Sequence, residues 1–253
     1  MKVVLAIPAY NCAAQLKRVL SSIDKSLASK FSDILVIDNR SPDNTAEVAL
    51  GFKSKISNLH VFINKDNYSL GGSHKVAFLY AEKNHATHLA ILHGDDQAVA
   101  HELLTLIEVA SDHAEADAVL GSRFMGASTL VGYDWKRIFG NRVLNVIYTL
   151  LTGVRCRDLG SGLNIFKLEI FKNHTYLEFA DRLTFNYELL LYLIGARANI
   201  IFCPITWRES DQVSNARNFT IAKTAFLNVL KWRFGGLTYT KTHNPSDYES
   251  EEL

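Results

Sequence analysis

Up to about residue 122, short apolar runs alternate with amphipathic segments, and this alternation narrows the possible folds more than any other feature. Residues 3–7, 34–37, 60–63, 88–92 and 118–120 are apolar and of strand length. Between the first two runs, Leu16, Val19, Leu20 and Ile23 recur at three- and four-residue spacing, which predicts a helix over 12–27. Further helices are predicted over 46–52, 71–82 and 102–110. Strands that alternate with helices form a parallel sheet covered on both faces. Right-handed crossovers then bring residues 8–11, 38–43 and 93–97 to one edge of that sheet. Three polar loops on one crevice is the geometry of a nucleotide site.

The most reactive of these loops is His93-Gly94-Asp95-Asp96-Gln97, which ends the fourth strand. Adjacent carboxylates are expensive to hold together unless a cation offsets them. Carboxylate and amide oxygens suit Mg²⁺ or Mn²⁺. If the segment stays extended, His93, Asp95 and Gln97 share one face and Asp96 points away. Asp95 and Gln97 are then the metal ligands, with His93 either a weaker ligand or none, and Asp96 serves the bound ligand or a basic neighbour.

The other loops offer less specific signals. Pro8-Ala9-Tyr10-Asn11 either presents backbone and an aromatic ring to a nucleobase or is an ordinary turn. Asp38 ends the second strand, where an acidic residue accepts hydrogen bonds from ribose or base. Asp43 reads as a cap. In the segment from Asn67 to Lys75, Gly71-Gly72 permits close backbone approach and Lys75 is placed to neutralise phosphate, unless the segment is a plain loop with a capped helix. No GxxxxGK[ST] or GxGxxG occurs, which disfavours P-loop enzymes and dinucleotide dehydrogenases.

Size and charge set outer bounds. A chain of 253 residues that is 48% hydrophobic fills one large domain, or one domain with an appendage. Its net charge of +1 gives no bulk attraction to nucleic acid. Cys12, Cys156 and Cys203 are widely spaced and read as reduced thiols of a cytoplasmic protein. No signal peptide is visible. The longest weakly polar stretch, 143–154, is shorter than the roughly 20 residues of a membrane span, so any membrane contact is peripheral, on the cytoplasmic face.

The second half is less regular. Helices are predicted over 135–151, with Lys136, Arg137 and Arg142 near its start, over 187–193 and over 221–232. Residues 159–166 read as a turn into a short strand, and 200–203 as another strand. The basic-apolar helix at 135–151 and the stretch 226–234 either lie on a membrane interface or face the core.

In this order the motifs IPAYN, IDNRSPDNT, NYSLGGSHKVA and HGDDQ resemble glycosyltransferase family 2, which has the GT-A fold. Gly121-Ser122-Arg123, the basic helix with Asn141, Arg142 and Asn145, and Asp158-Leu159-Gly160-Ser161-Gly162 resemble later blocks of that family, as do residues 185–190, Gly195, Ile205 and Ser214. The likeness covers roughly residues 2–215 and is nearest to dolichol-phosphate mannose synthase and related polyprenyl-phosphate sugar transferases. Three positions depart from the pattern: Asn39 replaces a second aspartate, His93 the first Asp of Asp-x-Asp, and Cys12 a glutamate.

The resemblance implies an α/β GT-A domain over 1–215, with a mostly parallel central sheet. Its Rossmann-like nucleotide-sugar half is 1–122 and its acceptor half 123–215. An amphipathic helical region over 216–245 and an acidic, disordered tail over 246–253 complete the chain. It implies a metal-dependent, inverting hexosyltransferase. The donor is a GDP- or UDP-sugar and the acceptor a polyprenyl phosphate. The alternatives are a sugar-hydroxyl acceptor in polysaccharide synthesis, or nucleotide-sugar binding without turnover. Pro8, Ala9, Tyr10, Asn11, Asp38, Asn39, Asn67, Gly71, Lys75 and Asp96 are the expected donor contacts. Arg123 steadies charge on the diphosphate. Asp158 is a general base for a hydroxyl acceptor, and positions a phosphate acceptor. Arg137, Arg142 and Ser161 hold the acceptor phosphate.

Overall fold

A computed structural model describes residues 1–209, 211 and 218–253. Ser214 and the expected boundary at 215/216 lie outside the described residues. The first half follows the predicted alternation: β1 (Val3–Ala9), α1 (Ala13–Ser22), α2 (Lys25–Ala28), β2 (Asp33–Asp38), α3 (Thr45–Leu50), β3 (Leu59–Asn64), α4 (Ser69–Lys83), β4 (His88–Leu92), α5 (Glu102–Asp112) and β5 (Ala118–Ser122). There follow β6 (Thr129–Val131), α6 (Trp135–Thr152), β7 (Leu163–Lys167), α7 (Phe185–Gly195), β8 (Ile200–Pro204), β9 (Thr206–Arg208), α8 (Asn218–Arg233) and β10 (Ser250–Glu252).

The main sheet runs β10-β3-β2-β1-β4-β7-β5-β8. Its strands are parallel except β7, antiparallel to both β4 and β5, and β10, antiparallel to β3. Alternation along β1 explains the two layers. Val3, Leu5 and Ile7 pack on one face with Leu16, Val19 and Leu20 of α1 and Leu103 and Leu106 of α5. Val4 and Ala6 pack on the other with Val76, Ala77 and Phe78 of α4 and Leu190 and Leu191 of α7. Chain order reverses between β1 and β4, so their C-terminal ends open the crevice where α/β sheets bind ligands.

α6 starts where the Asp134 side chain accepts from the backbone N–H groups of Lys136 and Arg137, and it ends at Gly153 in the left-handed region (φ 74°). Its inner face carries Asn145 and Tyr148, and the Tyr148 hydroxyl donates to the Ala225 carbonyl of α8 at 2.9 Å. Its outer face is apolar: Trp135, Phe139, Val146 and Leu150 are 68%, 67%, 56% and 77% exposed, with Val143 between them. On α8, Ala225 and Val229 are buried, whereas Phe226 and Leu227 stay exposed.

The expectation of a disordered tail is corrected. Residues 250–252 form β10 on the edge of β3, in the register Ser250–Asn64 to Glu252–Phe62. An ion pair of Glu249 with Lys65 and a 2.6 Å contact of Glu252 with the His60 ring accompany the pairing. Two of the acidic residues that suggested disorder, Glu249 and Glu252, thus meet Lys65 and His60 at the edge they cover.

Candidate active site

The C-terminal ends of β1, β2 and β4 open onto a cavity of about 930 Å³. Pro8 and Ala9 at the end of β1 and Tyr10 and Cys12 after it form its wall, with Asn39 after β2, and His93, Asp95 and Gln97 after β4. Asn67 contributes from the loop before α4, Ser69 and Ser73 from the start of α4, and Arg137 from α6. The expected loops therefore converge. Tyr10 is 43% exposed at the cavity wall.

The segment after β4 turns instead of staying extended. The Gly94 N–H donates to the Pro8 carbonyl at 2.9 Å, and Asp96 takes a left-handed φ of 60°. His93, Asp95 and Gln97 nevertheless line the cavity while Asp96 points away, and a basic neighbour takes it: Arg18 donates to Asp96 at 2.6 Å. Asp95 has no such partner. Burial raises its pKa above the ordinary carboxylate value, and no lysine or arginine among the described residues offsets it. His93 lies against Gly162, where a Cβ would come within 2.6 Å of its ring. Its Nε2 faces the Nε2 of His74 at 3.3 Å.

Asn39 is part of the scaffold as well as the wall. Its amide donates to Asn67 at 2.8 Å, and its oxygen accepts from Asn64 and from the Tyr68 N–H, each at 2.9 Å. A second aspartate here would lose the donor that holds Asn67. Asp38 is buried outside the cavity lining and binds its own loop, accepting from the N–H and hydroxyl of Ser41 at 2.9 and 2.5 Å. Its expected ligand contact is thus replaced by a turn. Asn11, also outside the lining, has a φ of 50° and donates its N–H to Ser41. Asp43 caps as expected, and reaches further: it accepts from the Thr45 N–H and hydroxyl and from the first N–H of α1.

Several expected contacts lie elsewhere. Lys75 is fully buried and bonds to Asp181 at 2.6 Å, the Phe179 carbonyl at 2.5 Å and the Tyr248 hydroxyl at 2.9 Å. It neutralises a carboxylate of this chain, not a phosphate. Burial pushes Lys75 down; burial also opposes the Asp181 charge, but hydrogen bonds from Lys75, Tyr248 and His243 hold Asp181 below the ordinary value. Gly71 sits inside α4, where its N–H donates to the Asp181 carbonyl at 2.6 Å and a Cβ would clash with Ala180. The close approach that glycine permits is to the chain itself.

Asp158 is not placed to act as a base. Both its oxygens are taken by the Arg123 guanidinium, at 2.8 and 2.7 Å, and by backbone N–H groups of Arg123 and Gly160. Arg123 is nearly buried in that pair; burial opposes its charge, yet the adjacent Asp158 carboxylate keeps its pKa raised. Ser161 is buried and donates to the Leu163 carbonyl, and it lines a separate small crevice with Asp158. Arg142 is exposed on α6, off the cavity. Of the three residues expected to hold an acceptor phosphate, only Arg137 reaches the wall. Glu209 anchors it at 2.6 Å, and its guanidinium lies 4.6 Å above the Tyr133 ring.

The far wall was not legible in the motifs. It consists of Ala180, Asp181, Arg182, Leu183 and Thr184 before α7, Thr220, Ile221 and Thr224 on α8, and Thr240 and Thr242 of the C-terminal segment. Asp181 ties these parts together, since it also accepts from the N–H groups of Thr242 and His243. The signal was there only as the run Asp181-Arg182, two charges beside an apolar helix.

The donor set fits a hard divalent ion in part. Asp95 offers an unpaired carboxylate and Gln97 an amide oxygen on the same wall. Among the described residues no group of three His, Cys, Asp or Glu side chains is poised to hold a metal. Asp95 and Gln97 would hold such an ion only with water or substrate oxygens filling the remaining positions.

Comparison with known proteins agrees with this architecture. The model of glycosyl transferase family 2 matches residues 4–175. The polyprenol monophosphomannose synthase of Mycolicibacterium smegmatis is 22% identical over 240 residues, covering 93% of this chain and 88% of that protein. The undecaprenyl-phosphate mannosyltransferase of Micrococcus luteus is 23% identical over 234 residues, covering 92% and 94%. Among solved structures, glucosyl-3-phosphoglycerate synthase from Mycobacterium tuberculosis in complex with Mn²⁺ and UDP-glucose aligns with a TM-score of 0.67 at 15% identity, over 92% of this chain and 79% of that one. TarS from S. aureus in complex with UDP-GlcNAc aligns with a TM-score of 0.60 at 18% identity, over 94% and 74%. The chain has the GT-A fold and belongs to glycosyl transferase family 2.

Proposed function

We propose that this glycosyltransferase moves a hexose from a nucleotide-diphosphate sugar to a polyprenyl phosphate, inverting the anomeric centre, with Mg²⁺ or Mn²⁺ as cofactor. The names of the two mannosyltransferase relatives support the lipid-phosphate acceptor, and the nucleotide complexes of the structural neighbours support the donor. The observation that carries the reading is Arg137. It stands in the cavity wall, and its helix α6 turns an apolar stripe outward. Cavity and lipid-facing surface thus share one helix.

Pro8–Tyr10 and Asn39 receive the nucleoside, and Asp95 and Gln97 face the diphosphate. A divalent ion bound there supplies Lewis-acid stabilisation of the leaving diphosphate. Arg137 and Arg182 supply positive charge on the opposite side, where the acceptor phosphate approaches. An acceptor oxygen bonds to the anomeric carbon as the bond to the diphosphate breaks in line. That oxygen is already anionic, so no proton has to be removed. A hydroxyl acceptor would need a base within reach. Asp158 is locked to Arg123, and Asp181 to Lys75, Tyr248 and His243.

No helix among the described residues is long and apolar enough to cross a membrane. Trp135, Phe139, Val143, Val146 and Leu150 lie in the interface, with Lys136 and Arg142 toward the headgroups. The test is a panel of GDP- and UDP-hexoses with Mg²⁺ or Mn²⁺, comparing polyprenyl phosphate with soluble sugars. Nucleoside diphosphate release that depends on polyprenyl phosphate is expected. Turnover only with sugar hydroxyls would overturn the acceptor.

A further inference from the structure

We propose that Arg18 is a positioning residue for transfer: reaching from α1, it holds the loop after β4 in the turn that gives Asp95 to the cavity and turns Asp96 away from it. This deepens the functional reading by naming what sets that loop, and it rests on that reading for the part Asp95 plays. Asp95 and Asp96 are adjacent carboxylates, yet only Asp95 lines the cavity. The chain itself fixes both flanks of the loop. Before Asp95, the Gly94 N–H donates to the Pro8 carbonyl at 2.9 Å, so close to β1 that a Cβ on Gly94 would lie 3.1 Å from that of Ala9. After Asp96, the Gln97 carbonyl accepts from the Arg208 N–H at 2.8 Å, and Ala98 bridges to Trp207.

None of these backbone bonds reaches Asp96, and Asp96 alone among residues 93–97 has a positive φ, 60°. Left-handed backbone crowds an L side chain, so such a residue persists where its surroundings hold it. Among the described residues, the Asp96 carboxylate bonds to Arg18 alone, Nε to Oδ2 at 2.6 Å. The same guanidinium donates from Nη2 to both oxygens of Asp211, at 2.9 and 3.0 Å, beyond β9. It therefore ties the apex of the loop to a second carboxylate on the far side. Its own base is rigid, since Leu16, Val19 and Leu20 on the inner face of α1 are in the core. The Arg18 and Asp96 side chains are 44% and 23% exposed, so the pair is screened and its effect on rate is modest. Were Asp96 to leave the left-handed region between pinned flanks, the peptide units on either side would rotate, and Asp95 with them.

The test is a set of variants of the whole chain, read by nucleoside diphosphate release from GDP- and UDP-hexoses with polyprenyl phosphate and Mg²⁺ or Mn²⁺. Arg18→Met is expected to lower kcat per folded molecule by about three- to tenfold and to leave the donor KM within about twofold, because Pro8–Tyr10 and Asn39 are untouched. Arg18→Lys keeps the charge without the fork and is expected to restore part of the loss. Asp96→Gly supplies a left-handed turn with no side chain to hold. In that background, Arg18→Met is expected to change kcat by less than about twofold. An arginine that touched substrate would keep its effect there, and a merely stabilising ion pair would shift the melting temperature without changing kcat per folded molecule. Hydrogen exchange over residues 94–98 reads the loop without turnover, and Arg18→Met is expected to speed it several-fold. Equal kcat and equal exchange in Arg18→Met and the parent, or an undiminished loss in the glycine background, would overturn the proposal. If Asp95→Asn is slow while Arg18→Met is not, the positioning role fails and the function stands. If Asp95→Asn turns over like the parent, or no donor is used, the functional reading fails, and the exchange rates still decide whether Arg18 holds the loop.

Discussion

Arg123 and Asp158 meet through two parallel hydrogen bonds, Nε to Oδ2 at 2.8 Å and Nη2 to Oδ1 at 2.7 Å. The pair joins the end of β5 to the turn before β7, and the guanidinium also covers the rings of Phe124 and Trp207 at 5.2 and 5.0 Å. Breaking such a buried pair leaves one charge uncompensated. Asp158→Ala is expected to destabilise the fold by about 3–5 kcal/mol, read by urea denaturation. Asp158→Asn keeps the shape. Its kcat per folded molecule should keep the parent's pH profile, because a lost general base would take about 10²–10⁴-fold and one limb of that profile.

Asp95→Asn should reduce kcat/KM by about 10²–10³-fold, the scale of losing one electrostatic contact to a developing charge. Stability should move the other way. Burial raises the Asp95 pKa, so the native state binds its proton more readily than the unfolded chain does. The resulting penalty is absent below about pH 4 and grows as pH rises through the raised value. Thermal melts at pH 7 should favour the asparagine variant, and the difference should vanish at the acid end.

Lys75→Met should cost about 3–5 kcal/mol by stranding the Asp181 carboxylate, measured by denaturant titration. The KM for nucleotide sugar of the folded fraction should change little, because Lys75 does not reach the cavity. A large rise in KM at unchanged stability would restore a phosphate contact.

Leu150→Glu and Phe139→Glu should each lower binding to anionic vesicles by about tenfold or more, since burying one such side chain contributes about 1.5–3 kcal/mol. Co-sedimentation measures the binding. Turnover with a short, water-soluble polyprenyl phosphate should stay near the parent value, because neither residue lines the cavity.

The parallel strands were legible because their apolar runs and the spacing of residues such as Leu16 and Leu20 are local signals. The insertion of β7 between β4 and β5 was not, since its partners are fixed by pairings such as Leu89 with Phe166, far apart in sequence. The loops at Pro8–Tyr10 and His93–Gln97 converged as their place at strand ends required. Lys75 misled because its burial is decided by Asp181 and Tyr248, more than a hundred residues later. Asp158 misled because a carboxylate in a glycine-rich turn looks available until its partner, Arg123, is placed beside it. Arg182 and the threonines of the far wall carry no motif; only the packing of α8 and the C-terminal segment brings them to the cavity.

The last of the described strands, β10, covers the open edge of β3. An uncovered strand edge is a template for pairing with other chains. During synthesis that edge stays bare until residues 250–252 emerge from the ribosome, after the other described strands. Loss of residues 250–252 would thus expose a sticky sheet margin while the loops around the cavity stay in place.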